Sequence, residues 1–149
     1  MGFVTDLSAQ RIYLDSNIFL YALNETAPYA TVAGEVFDAM DGGKLTGVTS
    51  ELTLAEILVT PFRTGNSDQE QLCRAILQRG LGFEMLPISR GVLETVARLR
   101  AATPALRTPD DIHAATAQLS NCDALLTNDR RLKGLPGIRV LLLSEAATP

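Results

Sequence analysis

The stretch "TPDDIHAATAQLSNCDALLTND", residues 108–129, contains four aspartates among small and apolar residues. Thr108 is a typical helix N-cap and Pro109 suits the first helical position, so the first half of the stretch predicts an α-helix. The segment "DALLT" then predicts a short strand that is buried on both faces. Negative charge therefore collects at the start of a predicted helix and directly after a predicted buried strand.

The rest of the chain continues this alternation of strands and helices. Strand patterns occur in "RIYLD" (11–15), "KLTGVTS" (44–50), "FEMLPIS" (83–89) and "IRVLLL" (138–143), the last predicted to be buried on both faces. Helical patterns occur in "SNIFLYALNE" (16–25), "YATVAGEVFDAMDGG" (29–43), "ELTLAEILVTPFRTG" (51–65, with a bend expected at Pro61), "SDQEQLCRAILQRG" (67–80, with Ser67 as N-cap) and "RGVLETVARLRAA" (90–102). The alternation predicts an α/β sandwich of three layers, a central parallel sheet flanked by helices.

Length and composition restrict the class of protein. At 149 residues the chain suits one domain, 1–149, with an ordered core at about 11–143 and loose ends, chiefly "SEAATP". The net charge of −4 argues against a general nucleic-acid coat protein, although acids that hold divalent cations would count as negative in a nucleic-acid enzyme. Cys73 and Cys122 lack the paired spacing of a zinc site or a disulfide framework. The opening "MGFVTDLSAQ" is no secretory signal and no apolar stretch is long enough to cross a bilayer, so we expect a cytoplasmic location.

Four acidic residues, distant in sequence, are predicted at the same edge of the sheet. Asp15 ends the first strand, Asp129 follows "ALLT" after Asn128, Asp110 lies in the first turn of its helix, and Glu56 lies about one turn into the helix after "KLTGVTS". Ligands of such sheets collect beyond the carboxyl ends of the strands. Four like charges at one place would raise one another's pKa values unless a cation compensates them. Mg²⁺ and Mn²⁺ prefer such oxygen ligands and can activate a water for attack on a phosphodiester.

Each acid also has a purely structural explanation. Asp110 and Asp111 could complement the positive end of a helix dipole, which is the interpretation we favour for Asp111. Asp15 could cap the helix that begins near Asn17, Asp129 could cap a turn before "RRLKG", and Glu56 could lie on an exposed helix surface. Their shared placement at one predicted edge is what favours a common site.

The same segments resemble a known family of nucleases. In order, "IYLDSNIFLYAL", "SELTLAEIL", "LRTPDDIHAATA" and "DALLTNDRRL" are similar to the four acidic motifs of PIN-domain ribonucleases, above all the VapC-like toxins of toxin–antitoxin pairs. The resemblance runs from about residue 11 to 143. It implies a PIN-like sandwich and a metal-dependent endoribonuclease that leaves a 5′-phosphate and a 3′-hydroxyl.

The resemblance also assigns roles to individual residues. It makes Asp15, Glu56, Asp110 and Asp129 the catalytic acids, which bind one or two Mg²⁺ or Mn²⁺ ions. Asp111 departs from the family's "D-A-I-H" pattern, in which an alanine stands at its position, so either aspartate of the pair could face the metal. Asn17 and Thr127 match polar positions that flank the site.

Three arginines and a histidine lie close to these acids in the chain. Arg107, Arg130 and Arg131 are candidates for contacts with RNA phosphate, the alternative being a solvated loop that balances nearby acids. His113, three residues beyond Asp110, is expected to be a packed or partly exposed helix residue rather than a general base.

The implied partners are an RNA substrate, a small antitoxin protein and a second copy of the chain in a homodimer. Antitoxins of this class lay a segment along an apolar groove and often direct an arginine at the carboxylates. Two other functions remain open from the sequence. One is a phosphatase-like hydrolase with Asp15 as nucleophile, although that class expects a second aspartate where this chain has Asn17. The other is a non-catalytic RNA-binding module of the same fold.

Overall fold

A sheet of parallel strands forms the centre of the molecule. The computed structural model describes residues 2–78 and 80–146. Within them the strands are β1 (Arg11–Leu14), β2 (Thr46–Ser50), β3 (Phe83–Leu86), β4 (Ala124–Thr127) and β5 (Val140–Leu142). They lie in the order β3-β2-β1-β4-β5, and each neighbouring pair is parallel. The predicted central parallel sheet is confirmed, and each strand lies within one of the predicted segments.

Helices cover both faces of this sheet. In the described residues they are α1 (Gly2–Asp6), α2 (Ser16–Leu23), α3 (Tyr29–Asp41), α4 (Leu52–Thr64), α5 (Ser67–Ile76), α6 (Arg90–Ala102), α7 (Thr108–Leu119) and α8 (Leu143–Ala146), with a 3-10 helix at Arg130–Leu132. None of the helices in these two ranges has the length and apolarity needed to cross a bilayer.

The central strand β1 contributes side chains to two separate cores. Ile12 and Leu14 pack in the apolar cluster that contains residues of α2 to α5, whereas Tyr13 packs in the cluster that contains α6 and α7. Successive side chains of a strand point to opposite faces, so Ile12, Tyr13 and Leu14 are all buried between the two helical layers. This confirms the predicted three-layer α/β sandwich.

Two helix starts differ from the sequence prediction by one residue. Asn66, not Ser67, is the N-cap of α5, and its side chain accepts a hydrogen bond of 3.0 Å from the backbone N–H of Gln69. Helix α7 has Arg107 as its N-cap, so Thr108 is already helical. The capping oxygen comes from inside α7, because Asp110 accepts a 3.1 Å hydrogen bond from the backbone N–H of Arg107.

Three predictions near the edges and ends of the fold are also corrected. Val140 and Leu141 of β5 are only half-buried, because β5 is an edge strand with one neighbour rather than a strand buried on both sides. The helix α5 ends at Ile76, before the predicted stop at Gly80. Helix α1 precedes the predicted ordered core, and α8 includes the first half of the supposedly loose "SEAATP", while residues 147–149 lie outside the described residues.

The topology brings the ends of β1 and β4 together at a switch point. From β1 the chain adds β2 and β3 on one side of the sheet, and it later adds β4 and β5 on the other side. A crevice forms where the order reverses, outside the carboxyl ends of the strands. Asp15 directly follows β1, and Asp129 is the second residue after β4. The fold therefore places two of the predicted site residues beside this crevice.

Gly82 is expected to be irreplaceable by alanine. Its φ of +86° is strained for other residues, and a Cβ there would lie 2.3 Å from the backbone carbonyl oxygen of Met40. We expect Gly82→Ala to lower the free energy of unfolding by at least about 1 kcal/mol, measured by urea denaturation. Gly34→Ala is the matched control, since Gly34 lies inside α3 with open space around its Cβ position. Gly34→Ala should raise the free energy of unfolding by about 0.5–1 kcal/mol. Equal effects of the two substitutions would contradict the special requirement for glycine at position 82.

Candidate active site

Asp15 is the most rigidly held of the four predicted acids. It is the N-cap of α2, and its Oδ1 accepts a 2.7 Å hydrogen bond from the backbone N–H of Ser16. Its Oδ2 accepts a 2.6 Å hydrogen bond from the hydroxyl of Thr127 at the end of β4. The residue is only 7% exposed. The capping role expected from sequence is therefore present, and it coexists with a position at the switch point.

Thr127 connects Asp15 with Asp129. Its hydroxyl is fully buried, donates to Asp15 and accepts a 3.1 Å hydrogen bond from the backbone N–H of Asp129. Asp129 is in turn the N-cap of the 3-10 helix at Arg130–Leu132. One hydroxyl group thus determines how the loop after β4 lies relative to the end of β1.

Arg131 joins Asp129 to Asp110. Its Nη2 lies 2.5 Å from Asp129 Oδ2 and 3.4 Å from Asp110 Oδ2. Hydrogen bonds from its guanidinium group lower the pKa of Asp129, so that carboxylate stays charged. Arg107 approaches from the other side, with its Nε 3.7 Å from Asp110 Oδ2. The sequence suggested Arg131 as a candidate contact for RNA phosphate or, alternatively, as part of a loop that balances nearby acids, and these ion pairs correspond to the alternative.

His113 joins Glu56 to Asp15. Its Nε2 lies 2.6 Å from Glu56 Oε1 and 3.7 Å from Asp15 Oδ1, and its Nδ1 is hydrogen-bonded at 2.6 Å with the hydroxyl of Tyr13. His113 is 2% exposed, which confirms the expected packed residue. Burial lowers the pKa of His113, but the hydrogen bond with Glu56 and the charges of Asp15, Glu56 and Asp110 raise it more, so the net shift is upward. The spacing of three residues from Asp110 signalled this face of α7, whereas the contact with Glu56 was missed.

Asp111 belongs to a different environment from its neighbour Asp110. It is fully buried against α6, where its Oδ2 lies 3.3 Å from Arg100 Nη1. Its Oδ1 is buried without a hydrogen-bond partner in the described part of the chain. Adjacent residues of a helix point in different directions, so only Asp110 contacts Arg131, which also holds Asp129.

The remaining predicted site residues lie at the border of this group. Asn17 is half-buried in the first turn of α2, two residues after Asp15. Arg107 and Arg130 are exposed. Their roles as site-flanking and phosphate-contacting residues stay predictions.

The four acidic residues form one connected group, in which donors link the carboxylates in two pairs. His113 lies between Glu56 and Asp15, Thr127 connects Asp15 with the backbone of Asp129, and Arg131 lies between Asp129 and Asp110. His113 and Arg131 therefore offset the repulsion between the two carboxylates of each pair.

The donor set suits a divalent cation by its chemistry, although not by its described positions. Within residues 2–78 and 80–146, no three His, Cys, Asp or Glu side chains are grouped so that they could hold a metal ion as they stand. Arg131 separates Asp110 from Asp129, but 47% of its side chain is exposed, so it can turn into solvent without disturbing the core. Carboxylate oxygens are the ligands that Mg²⁺ and Mn²⁺ prefer. The chemistry of these donors therefore suits such an ion, but their described positions do not already form a metal site.

The family of the chain is clear from comparison with known proteins. A family model of the PIN domain matches residues 12–138. The chain belongs to the PIN domain family. A search of curated protein sequences found no significant match.

Solved structures of toxin–antitoxin proteins have a similar fold. VapBC2 from Rickettsia felis, bound to a DNA fragment from its promoter, has 20% identity and a TM-score of 0.71, covering 89% of this chain and 98% of that one. A toxin–antitoxin complex from Klebsiella pneumoniae has 27% identity and a TM-score of 0.66, covering 89% and 97%. VapC20 from Mycobacterium tuberculosis, a toxin that cleaves the sarcin-ricin loop, has 13% identity and a TM-score of 0.66, covering 86% and 98%. This chain thus has the PIN fold of VapC-like toxins, and the resemblance found in its sequence is confirmed.

Replacement of Asp111 should change stability in a pH-dependent way. Burial raises the pKa of Asp111 above its ordinary value of 3.8, against the opposing effect of Arg100. The folded state therefore binds this proton more tightly, and the group's contribution to stability is lost as the pH rises through its folded pKa. In urea denaturation, Asp111→Asn should gain stability relative to the wild type as the pH rises from about 4 to about 7. A relative loss over this interval would contradict the assignment.

Removal of the Thr127 hydroxyl should loosen the connection between β1 and β4. In Thr127→Val, Asp15 Oδ2 and the backbone N–H of Asp129 each lose a buried partner, so we expect a cost of about 1–3 kcal/mol in the free energy of unfolding. Thr116→Val is the control, because the hydroxyl of Thr116 donates only to the carbonyl of Ile112 in its own helix. The two variants should differ clearly in thermal denaturation, and equal costs would refute the role of Thr127.

Proposed function

We propose that this chain is an endoribonuclease dependent on Mg²⁺ or Mn²⁺, and that it acts as the toxin of a toxin–antitoxin pair. The observation that supports this most directly is the connected group of Asp15, Glu56, Asp110 and Asp129 at the carboxyl end of the sheet. Membership of the PIN domain family and the likeness to toxin–antitoxin structures point to the same function.

The four acids are the proposed ligands of one or two divalent cations. Bound there, the cation would supply an activated water and neutralise charge on a phosphoryl oxygen. Asp15 is suited to hold it, because the bonds from Ser16 and Thr127 already fix the direction of its carboxylate. Asp110 and Asp129 become available when Arg131 swings away from them.

The arginines around the acids are the proposed contacts for the RNA backbone. Arg107 and Arg130 are exposed beside Asp110 and Asp129, and Arg131 joins them when it leaves those acids. Guanidinium groups bind phosphate through paired hydrogen bonds. This arrangement reconciles an acidic chain with a polyanionic substrate, because positive charge is concentrated where the RNA would lie.

The proposed partners are a small antitoxin and a second copy of the chain. Two of the similar structures, from Rickettsia felis and Klebsiella pneumoniae, are of toxin–antitoxin proteins. An antitoxin that directs an arginine at the carboxylates would use the same attraction that now holds Arg131 on Asp110 and Asp129.

Loss of any one of these acids should abolish RNA cleavage. With Mn²⁺ or Mg²⁺ and a mixture of transfer, ribosomal and messenger RNA, Asp15→Asn and Asp110→Asn should each cleave at least about 100-fold more slowly than wild type. EDTA should abolish cleavage, and the products should carry 5′-phosphates. Asp111→Asn is the matched control, since Asp111 faces Arg100 and should be dispensable for cleavage.

Other outcomes would identify a different function. Undiminished cleavage in EDTA or in Asp15→Asn would overturn the proposal. A covalent phosphate on Asp15 would favour the phosphatase alternative, and failure of the wild type to bind Mn²⁺ would favour a non-catalytic RNA-binding module.

A further inference from the structure

A continuous chain of hydrogen bonds leads from the backbone of β2 to Glu56. The backbone N–H of Ser50 donates to the hydroxyl of Tyr13 at 3.0 Å, that hydroxyl is hydrogen-bonded with His113 Nδ1 at 2.6 Å, and His113 Nε2 lies 2.6 Å from Glu56 Oε1. Ser50, Tyr13 and His113 are buried. This series of hydrogen bonds connects β2, β1, α7 and α4. Three of these four elements carry or directly precede one of the proposed site acids.

The direction of the last bond follows from chemistry. An ionised carboxylate can only accept, so Nε2 must be the donor to Glu56 whether the imidazole is neutral or charged. The other nitrogen is held by Tyr13, whose ring meets the imidazole edge-on at a centroid distance of 5.7 Å. The imidazole is therefore fixed at both nitrogens and points one N–H at Glu56.

Glu56 is the site acid with the greatest need of such support. Asp15 has a short side chain and accepts hydrogen bonds at both oxygens, whereas Glu56 has a longer side chain that is 32% exposed. A glutamate free to change rotamer loses conformational entropy when it must bind a ligand in one position. Its hydrogen bond with His113 keeps Oε1 near Asp15, since the same Nε2 lies 3.7 Å from Asp15 Oδ1.

We propose that His113 is a positioning residue that holds the Glu56 carboxylate beside Asp15, and thereby sets the affinity of the site for a divalent cation. This inference rests on the proposed function, because it requires that Glu56 and Asp15 bind the cation. It gives His113 a role that neither a packed core residue nor a general base would have. Partners that orient metal ligands typically contribute a factor of about 10–100 in metal affinity.

The test is the dissociation constant of Mn²⁺, measured by calorimetry on the full chain. His113→Leu keeps an apolar side chain in the buried space but has no donor, so Mn²⁺ should bind about 10–100-fold more weakly than to wild type. His113→Gln, whose amide N–H can take the place of Nε2, should recover most of that loss. Thr116→Val, one turn further along α7 and without contact to the acids, is the control that should bind Mn²⁺ as wild type does.

A double-mutant comparison separates positioning from a general structural effect. If His113 acts through Glu56, His113→Leu should have no further effect on Mn²⁺ affinity once Glu56→Gln is present. A further loss of the same size in the double variant, or a glutamine variant as weak as the leucine variant, would overturn the inference. If near-UV circular dichroism shows that His113→Leu does not fold, Tyr13→Phe replaces it in the test. This change removes the hydroxyl that is hydrogen-bonded with His113 Nδ1 and should also weaken Mn²⁺ binding.

Failure of the role proposed for His113 and failure of the proposed function give different results. A wild-type protein that binds Mn²⁺ together with a His113→Leu variant that binds it equally well refutes only the role of His113. A wild-type protein that does not bind Mn²⁺ refutes both this inference and the metal dependence of the proposed function.

Discussion

Repulsion among carboxylates is the constraint on which the arrangement of this site depends. Asp15, Glu56, Asp110 and Asp129 lie in one connected group: His113 lies between the carboxylates of Glu56 and Asp15, Arg131 lies between those of Asp110 and Asp129, and Thr127 donates to Asp15 while it accepts from the backbone of Asp129. Without those donors, neighbouring negative charges would favour protonation or local unfolding. His113, Thr127 and Arg131 are therefore as much a part of the site as the acids.

The three donors differ in how firmly they are held. Thr127 and His113 are buried and fixed by further hydrogen bonds, so they define the shape of the site. Arg131 is half exposed and contacts two acids, so it is the donor that a cation of higher charge could replace at least cost.

The strands and most helix boundaries could be predicted from the sequence, and so could the placement of the four acids near one another; that these acids are catalytic stays a prediction. Residues 12–14 of β1 and 124–126 of β4 are apolar and buried, because helices cover both faces of the sheet, and Gly42 ends α3 as its sequence indicated. The N-caps of α5 and α7 were wrong by one residue. At α5 the side chain of Asn66 accepts from the backbone N–H of Gln69, and at α7 Asp110 accepts from the backbone N–H of Arg107, the residue that precedes the helix. Helix α1 was not predicted. It is a short helix of five residues, and its stability depends on packing against the rest of the fold.

The sequence by itself determined the alternation of strands and helices, and from it the edge of the sheet at which the acids occur. These are local properties, set by side-chain periodicity and by the end of each strand. Only the tertiary structure decided that Asp110 rather than Asp111 joins the group, that His113 contacts Glu56, and that Arg131 lies between two aspartates. Those contacts depend on the rotation of α7 about its axis and on the path of the loop after β4. Both result from packing between residues far apart in the chain, which no local pattern records.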